Sequence, residues 1–260
     1  MQEHNVSNAL KNRIVAGQKT RALWLETGSP DMAEAAVYSG FRHVLIDNEH
    51  GPAGNETTAH MLRAINAAGG HAMVRVPGHD PLVIKRTMEL GLESIMIPSI
   101  HTAEDAGAAV AACRYPPHGL RGFAGEIRAS RYGTDSAYPG AAKDRLFLML
   151  QIESIEGVNN AEEIAKVEGI DMIFIGPYDL SGTHGVLGET NHPDVEKSIA
   201  HVIGVAQAAG LPLGTVPRAG KDVHALMAGP FDLVISESEI GHAIAAMRTD
   251  AKGMEPGWLG

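Results

Sequence analysis

The sequence predicts an α/β fold, a (β/α)8 TIM barrel. A unit of amphipathic helix, glycine and short apolar run recurs along it. Residues 33–39, Gly40 and the run 44–46 form one copy; residues 85–90, Gly91 and the run 94–97 form another. Gly169 precedes a third run at 172–175, and Gly229 a fourth at 233–235. Glycine just past a helix supplies a left-handed C-cap at little cost. Helices alternating with strands imply right-handed crossovers and a parallel sheet. The runs 22–25, 72–76, 146–152 and 211–215 bring the strands to eight, the number that closes a barrel, and 260 residues is a common length for one.

Helix starts agree with this order. Ser29-Pro30 places an N-cap before a proline at the first helical position. Thr102 to Asp105 resembles a capping box with Asp for the usual Glu. His192-Pro193-Asp194 opens another helix, and residues 157–169 leave room for one between the fifth and sixth strands. Residues 115–144 form the longest irregular stretch, rich in Gly, Pro and Arg, and a stretch of that length is expected to be functional or mobile. A last helix follows Ser236, and residues 253–260 are expected to be loosely ordered. With no break in composition, residues 1–260 are expected to form one domain.

Composition narrows the partners. The chain is 44% hydrophobic, with formal charge −10 and pI about 5.7. That acidity argues against nucleic acid and against an anionic membrane surface. No apolar run reaches the roughly 20 residues of a membrane span, and the polar start is unlike a signal peptide. Cys113 is the sole cysteine, which excludes an internal disulfide and fits a reducing compartment. A cytoplasmic protein is expected.

Two strands end in carboxylates: the run 146–152 stops at Glu153, and the run 172–175 stops, after Gly176-Pro177-Tyr178, at Asp179. Parallel α/β folds place their chemistry at these C-terminal strand ends. Neighbouring carboxylates repel unless a positive charge lies between them, so a hard divalent cation with oxygen ligands is one reading; the other is that each carboxylate caps the following helix. His50, at the second strand end, is the best general base by its near-neutral titration, with Asp47 or Glu89 as the carboxylate that orients it. Arg75 ends the third strand, where a buried cation is either ion-paired or aimed at an anionic group. Gln151 shares a strand face with Glu153 and offers an amide to a substrate oxygen.

Asp47-Asn48-Glu49-His50-Gly51-Pro52, Val74-Arg75-Val76-Pro77, residues 114–122, Gln151-Ile152-Glu153 and Gly176-Pro177-Tyr178-Asp179-Leu180 occur in this order. Together they resemble the metal-dependent class II pyruvate aldolases of the 4-hydroxy-2-oxoheptanedioate and 2-dehydro-3-deoxyglucarate aldolase type, over about residues 22–238. The resemblance implies a barrel of the phosphoenolpyruvate/pyruvate superfamily. It implies Glu153 and Asp179 as ligands of a divalent metal, Mg²⁺ or Mn²⁺ ahead of Co²⁺ or Zn²⁺. It further implies Gln151, Gly176, Pro177, Tyr178 and Asp179 as pyruvate-binding positions, His50 as base, Arg75 as enolate stabiliser and Glu89 as the carboxylate that raises the basicity of His50. The implied reaction is reversible cleavage of 4-hydroxy-2-oxo acids to pyruvate, or a close analogue, and an aldehyde. Oxaloacetate decarboxylation or a related metal-enolate lyase reaction is the alternative. A trimer-of-dimers hexamer with the last helix exchanged between subunits is implied too. Three positions depart from the family: Asn48 for a more usual Gly, Glu89 for Asp, and Tyr178 for a small residue.

Overall fold

The computed structural model describes residues 8–252; the expectation for residues 253–260 lies outside them. The first half of the chain holds α1 (Ala9–Val15), β1 (Thr20–Leu25), α2 (Pro30–Tyr38), β2 (His43–Asp47), α3 (Asn55–Ala67), β3 (His71–Arg75), α4 (Pro81–Met88) and β4 (Ser94–Ile97). There follow α5 (Ala103–Cys113), α6 (Tyr138–Arg145), β5 (Phe147–Ile152), α7 (Ile155–Asn159), α8 (Ala161–Ala165) and β6 (Met172–Ile175). The chain ends in α9 (Pro177–Thr183), α10 (Pro193–Ala209), β7 (Leu213–Thr215), α11 (Val223–Ala228), β8 (Leu233–Ser238) and α12 (Glu239–Asp250). The strands pair in sequence order, in parallel, and β8 closes on β1.

Strands β2 and β5 are buried at every position, because one face meets the barrel interior and the other the helices. Trp24, Leu45, Met73, Met96, Met149, Phe174 and Ile235 fill the interior. Val44, Ile46, Val74, Ile95, Leu148, Leu150 and Ile173 pack outward, in one core with Ala33, Leu62, Ile65 and Ile84. Since side chains alternate along a strand, the inward rows continue past Leu45, Met73 and Met149. Two residues further on they deliver Asp47, Arg75 and Gln151 to the C-terminal mouth. The apolar alternation that builds the core therefore aims the polar groups.

The expected caps are present. Ser29 accepts from Met32 N–H at 3.2 Å, Thr102 and Asp105 form a reciprocal capping box, and the His192 ring accepts from Asp194 N–H. Gly40, Gly91 and Gly169 take positive φ. Gly229 does not: its φ is −85°, and α11 ends without a left-handed cap.

Three parts differ from the sequence reading. Helix α1, not anticipated, plugs the N-terminal end of the barrel. Its Leu10 and Ile14 join the interior core, and the Asn8 amide donates to Glu93 O (2.7 Å), Ser94 Oγ (3.0 Å) and Arg145 O (3.0 Å). In place of one helix over residues 157–169 there are two short ones, α7 and α8, which end at Ala165 and are broken at Asn160, whose amide donates to His101 O at 2.8 Å. Residues 115–144 are not wholly irregular: they include a 3₁₀ turn at Arg128–Ser130 and most of α6. Arg121, 2% exposed, is stacked 4.5 Å over the Tyr115 ring and anchors the stretch to the core.

Candidate active site

Glu153 lies just beyond β5 and is 5% exposed. Ser99, just past β4, donates its N–H to Glu153 Oε1 at 2.8 Å and its hydroxyl at 3.3 Å. To aim that N–H, Ser99 adopts a left-handed φ of 57°, a conformation costly for a non-glycine residue and frequent at functional sites. The Gln151 amide N–H donates to Glu153 Oε2, while Gln151 Oε1 is buried without a partner. Asp179, exposed, stands in the first turn of α9 on the neighbouring βα unit. Burial pushes the Glu153 carboxyl up to about 7, and the charges of Asp179 and Glu49 push the same way against the Ser99 N–H.

This arrangement fits a hard cation. A positive charge would offset the burial and the carboxylate repulsion that raise the Glu153 pKa, and Gln151 Oε1 is a buried acceptor without a partner. Gly176 keeps the cradle open: a Cβ there would lie 2.7 Å from Glu153 Oε2 and 2.8 Å from Gln151 Nε2. Among the described residues no group of three or more His, Cys, Asp or Glu converges as a metal site. Glu153 and Asp179 are two carboxylates that could hold such a cation, with water and substrate left to complete the coordination.

Arg75 is 6% exposed and is ion-paired, the first of its two expected roles. Its Nε and Nη2 grip Asp47 at 2.9 and 2.6 Å, and Nη1 lies 3.0 Å from Glu49. The guanidinium sits 4.5 Å over the Trp24 ring and lines the pocket at the strand ends. Burial works against its charge, but the hydrogen bond and charge of Asp47, with Glu49 and Glu153, outweigh it and hold the pKa above the usual arginine value. Asp47 Oδ1 also accepts from the N–H groups of Glu49 (3.0 Å) and His50 (3.4 Å). Asp47 thereby folds the loop that carries His50.

The expected partners of the His50 ring need correction. The ring is exposed, and its near carboxylate is Glu49, with Oε2 3.9 Å from Nε2. Asp47 touches His50 through the backbone and is otherwise occupied by Arg75. Glu89 is the C-cap of α4. A helix after a parallel strand runs back toward the strand's start, so Glu89 lies near the N-terminal end of the barrel, where its carbonyl accepts from Ala129 N–H. Within one chain Glu89 does not orient His50. Asn48, where the family favours Gly, accepts from Thr58 of α3 at 3.1 Å.

Sequence reasoning missed two supporting residues. Glu49 stood within a quoted motif, two positions after Asp47, and that spacing was its only signal. Ser99 acts through a backbone conformation that its side-chain type does not announce.

The pocket has a volume of about 460 Å³ and gathers His50, Arg75, Gln151, Gly176, Pro177, Tyr178 and Asp179. Tyr178 is 52% exposed, and its hydroxyl donates to Pro217 O at 3.3 Å. It thus forms the rim between the β6 and β7 ends. A larger concavity of about 670 Å³ opens at the opposite end, beside Arg42, His43, His71 and Arg128. It holds none of the strand-end carboxylates.

Residues 21–245 match the HpcH/HpaI aldolase/citrate lyase family. The chain belongs to this family. Over 227 residues it is 42% identical to a 2-dehydro-3,6-dideoxy-6-sulfogluconate aldolase of Pseudomonas putida, covering 87% of this chain and 85% of the relative. A 5-keto-4-deoxy-D-glucarate aldolase of Shigella dysenteriae is 36% identical over 234 residues, with 90% and 91% covered. The crystal structure of an HpcH/HpaI aldolase/citrate lyase family protein from Burkholderia cenocepacia superposes with a TM-score of 0.90 at 34% identity, covering 95% of this chain and 98% of that one. Membership makes the chain an enzyme of the aldolase and lyase class, and the closed parallel barrel is the fold that its structural neighbours share.

Proposed function

We propose that this HpcH/HpaI family member is a class II aldolase. It cleaves 4-hydroxy-2-oxo acids reversibly to pyruvate, or a close analogue, and an aldehyde. The observation that carries the reading is the convergence of Asp179, Gln151 and Arg75 on one pocket at the C-terminal barrel mouth, with the buried Glu153 carboxylate close enough to feel the charges of Asp179 and Arg75. Glu153 and Asp179 would hold the divalent cation, Mg²⁺ or Mn²⁺ by preference for oxygen ligands. When bound, the cation supplies Lewis acidity that makes the methyl protons of a 2-oxo acid removable. Gln151 offers its unpartnered amide oxygen to this cradle, and Gly176 and Pro177 leave it open. Arg75 presents a fixed cation to the oxygen on which charge grows as a proton leaves. His50, exposed beside Glu49, is the group in place to take that proton or to serve the aldehyde oxygen. Lewis-acid catalysis needs no Schiff-base lysine.

The reading extends to assembly and setting. Helix α12 is buried only at Glu239, while Ile244 and Met247 on it are 39% and 57% exposed. This supports a second copy covering the helix, as in a hexamer built from helix-exchanging dimers. The charge balance and single cysteine support a cytoplasmic enzyme of one domain, and among the described residues no helix is long and apolar enough to cross a membrane. The test is pyruvate release from a panel of 4-hydroxy-2-oxo acids with and without chelator. Release should stop on metal removal and return with Mg²⁺ or Mn²⁺. Full activity without metal, or borohydride trapping of pyruvate on a lysine, would overturn the reading.

A further inference from the structure

The cavity at the floor of the barrel, beside the N-terminal ends of β2, β3 and β4, has a volume of about 670 Å³. That is within the ordinary range of small-molecule sites. The chain as a whole has formal charge −10, yet Arg42, Arg128, Arg131 and Arg145 line this cavity against two carboxylates, Glu93 and Asp135. Arg145 and Asp135 pair at 2.9 Å. Three guanidinium groups then face one carboxylate, and Glu93 forms an ion pair with none of them. Among the described residues the guanidinium groups of Arg42 and Arg131 make no hydrogen bond or ion pair. Arg128 donates to Leu90 O, while burial and the charge of neighbouring Arg63 lower its pKa. The backbone marks the same wall. Among the described residues three that are not glycine take a left-handed φ: Ser99 beside Glu153, and Arg131 and Tyr132 here, at 52° and 56°. Such conformations persist where the surroundings hold them, and they cluster at ligand sites. This turn is held: Ser130 Oγ donates to Gly125 O at 2.6 Å and accepts from Gly133 N–H at 3.1 Å, and Tyr132 N–H donates to Ile127 O at 2.8 Å.

We propose that this cavity is a binding site for a small organic phosphate monoester, separate from the pocket at the C-terminal mouth. Arg42 precedes β2, whereas Arg128 and Arg131 belong to the stretch between α5 and α6, so the cations approach from different elements. Their planar forks match phosphate oxygens in paired hydrogen bonds. A phosphate monoester carries close to two negative charges and three strong acceptor oxygens at neutral pH. That balances three guanidinium groups offset by one carboxylate, where a single carboxylate group would leave a cation uncompensated. The volume exceeds what a bare phosphate ion fills, and Leu62 and Leu92 supply apolar lining for the organic part. The proposal stands apart from the aldolase reading and does not depend on it.

The test is isothermal titration of the Mg²⁺-loaded protein with glycerol 3-phosphate, inorganic phosphate and succinate in turn. Glycerol 3-phosphate should bind more tightly than the other two. Its Kd should rise by about tenfold or more in the Arg42→Ala/Arg131→Asn variant, which removes two charged donors. Asn tolerates the left-handed φ of position 131, so the turn should survive. Methyl-proton exchange of pyruvate in D₂O should be the same in the variant as in the wild type, which keeps the effect at the floor of the barrel. A Kd for glycerol 3-phosphate weaker than about 1 mM, or one that the double variant leaves unchanged, would overturn the proposal. Equal or tighter binding of inorganic phosphate would overturn the organic part, and equal or tighter binding of succinate the phosphoryl group. Should the double variant fail to fold, Arg42→Ala alone, at an exposed side chain, decides by the same titration.

Discussion

Asp47 holds Arg75 in a two-point fork, Nε to Oδ1 at 2.9 Å and Nη2 to Oδ2 at 2.6 Å, with both residues almost wholly buried. A paired, immobile cation costs no reorganisation when charge develops beside it. Arg75→Ala should therefore act mainly on kcat, lowering it on the order of 10²–10³-fold. Asp47 keeps the two backbone N–H donors of its loop, so the variant should still fold. Arg75→Lys should recover only part, because an ammonium lacks the planar fork. Steady-state kinetics decide: a raised KM with kcat untouched would make Arg75 a substrate-carboxylate clamp instead.

Glu49 reaches both Arg75 at 3.0 Å and the His50 ring at 3.9 Å. Glu49→Gln should keep the shape but weaken the positioning of both, with kcat falling about 10- to 100-fold, the range typical of groups that orient catalytic ligands. His50→Ala should slow methyl-proton exchange in D₂O by about 10²–10⁴-fold while pyruvate binding changes less. An unaltered exchange rate would move His50 to the aldehyde side of the reaction.

On the proposed reading, Glu153→Ala and Asp179→Ala each remove one of two protein ligands. Isothermal titration with Mn²⁺ should show lost affinity in both, and turnover should vanish with it. The Glu153 variant should suffer more, because Glu153 is buried and pre-oriented by Ser99 whereas Asp179 is exposed. Retained metal affinity in the Glu153 variant would refute its role as ligand.

Most of this site was readable because one alternation governs both core and mouth. Leu45, Met73 and Met149 point inward, so parity placed Asp47, Arg75 and Gln151 without any structure. What parity does not encode is reach. Glu89 was assigned through resemblance, but its helix runs away from His50. Glu49 and Ser99 work through a loop and a left-handed residue, neither of which has a periodic signature. Helix α1 has too few apolar positions to stand out, yet Leu10 and Ile14 suffice to close the barrel floor.

That floor predicts an acid limb in the stability profile. His43 and His71 lie with ring centroids 5.6 Å apart, and His71 bonds Ser94 at 2.9 Å. Burial lowers both to about 4, helped for His43 by Arg13 and for His71 by His43. Both fold neutral, so below about 6.5 the unfolded chain binds protons that the folded chain refuses until about 4. Stability should be full above the upper value and fall through this window, by up to roughly 3 kcal/mol for His43. Denaturant melts across this pH range should show the slope, and His43→Leu with His71→Gln should flatten it. A slope unchanged in the double variant would assign it to carboxylates.

Helix α12 offers the last test, of assembly. Glu239 at its start is buried and fixed by the β1–α2 loop, but beyond it the helix carries Ile244 and Met247 into solvent. Apolar side chains at i and i+3 share one helical face. Their exposure, 39% and 57%, leaves unclaimed roughly half of the burial energy of two side chains, about 1 kcal/mol each. A second copy covering this face would recover it twice in a symmetric dimer, since each subunit presents the same patch. Ile244→Asp/Met247→Asp would place four charges in that shared interface without touching the barrel core. Sedimentation velocity should then show smaller species than the wild type, while the far-UV signal of the barrel persists. An oligomer of unchanged size in the variant would mean that α12 does not hold the subunits together.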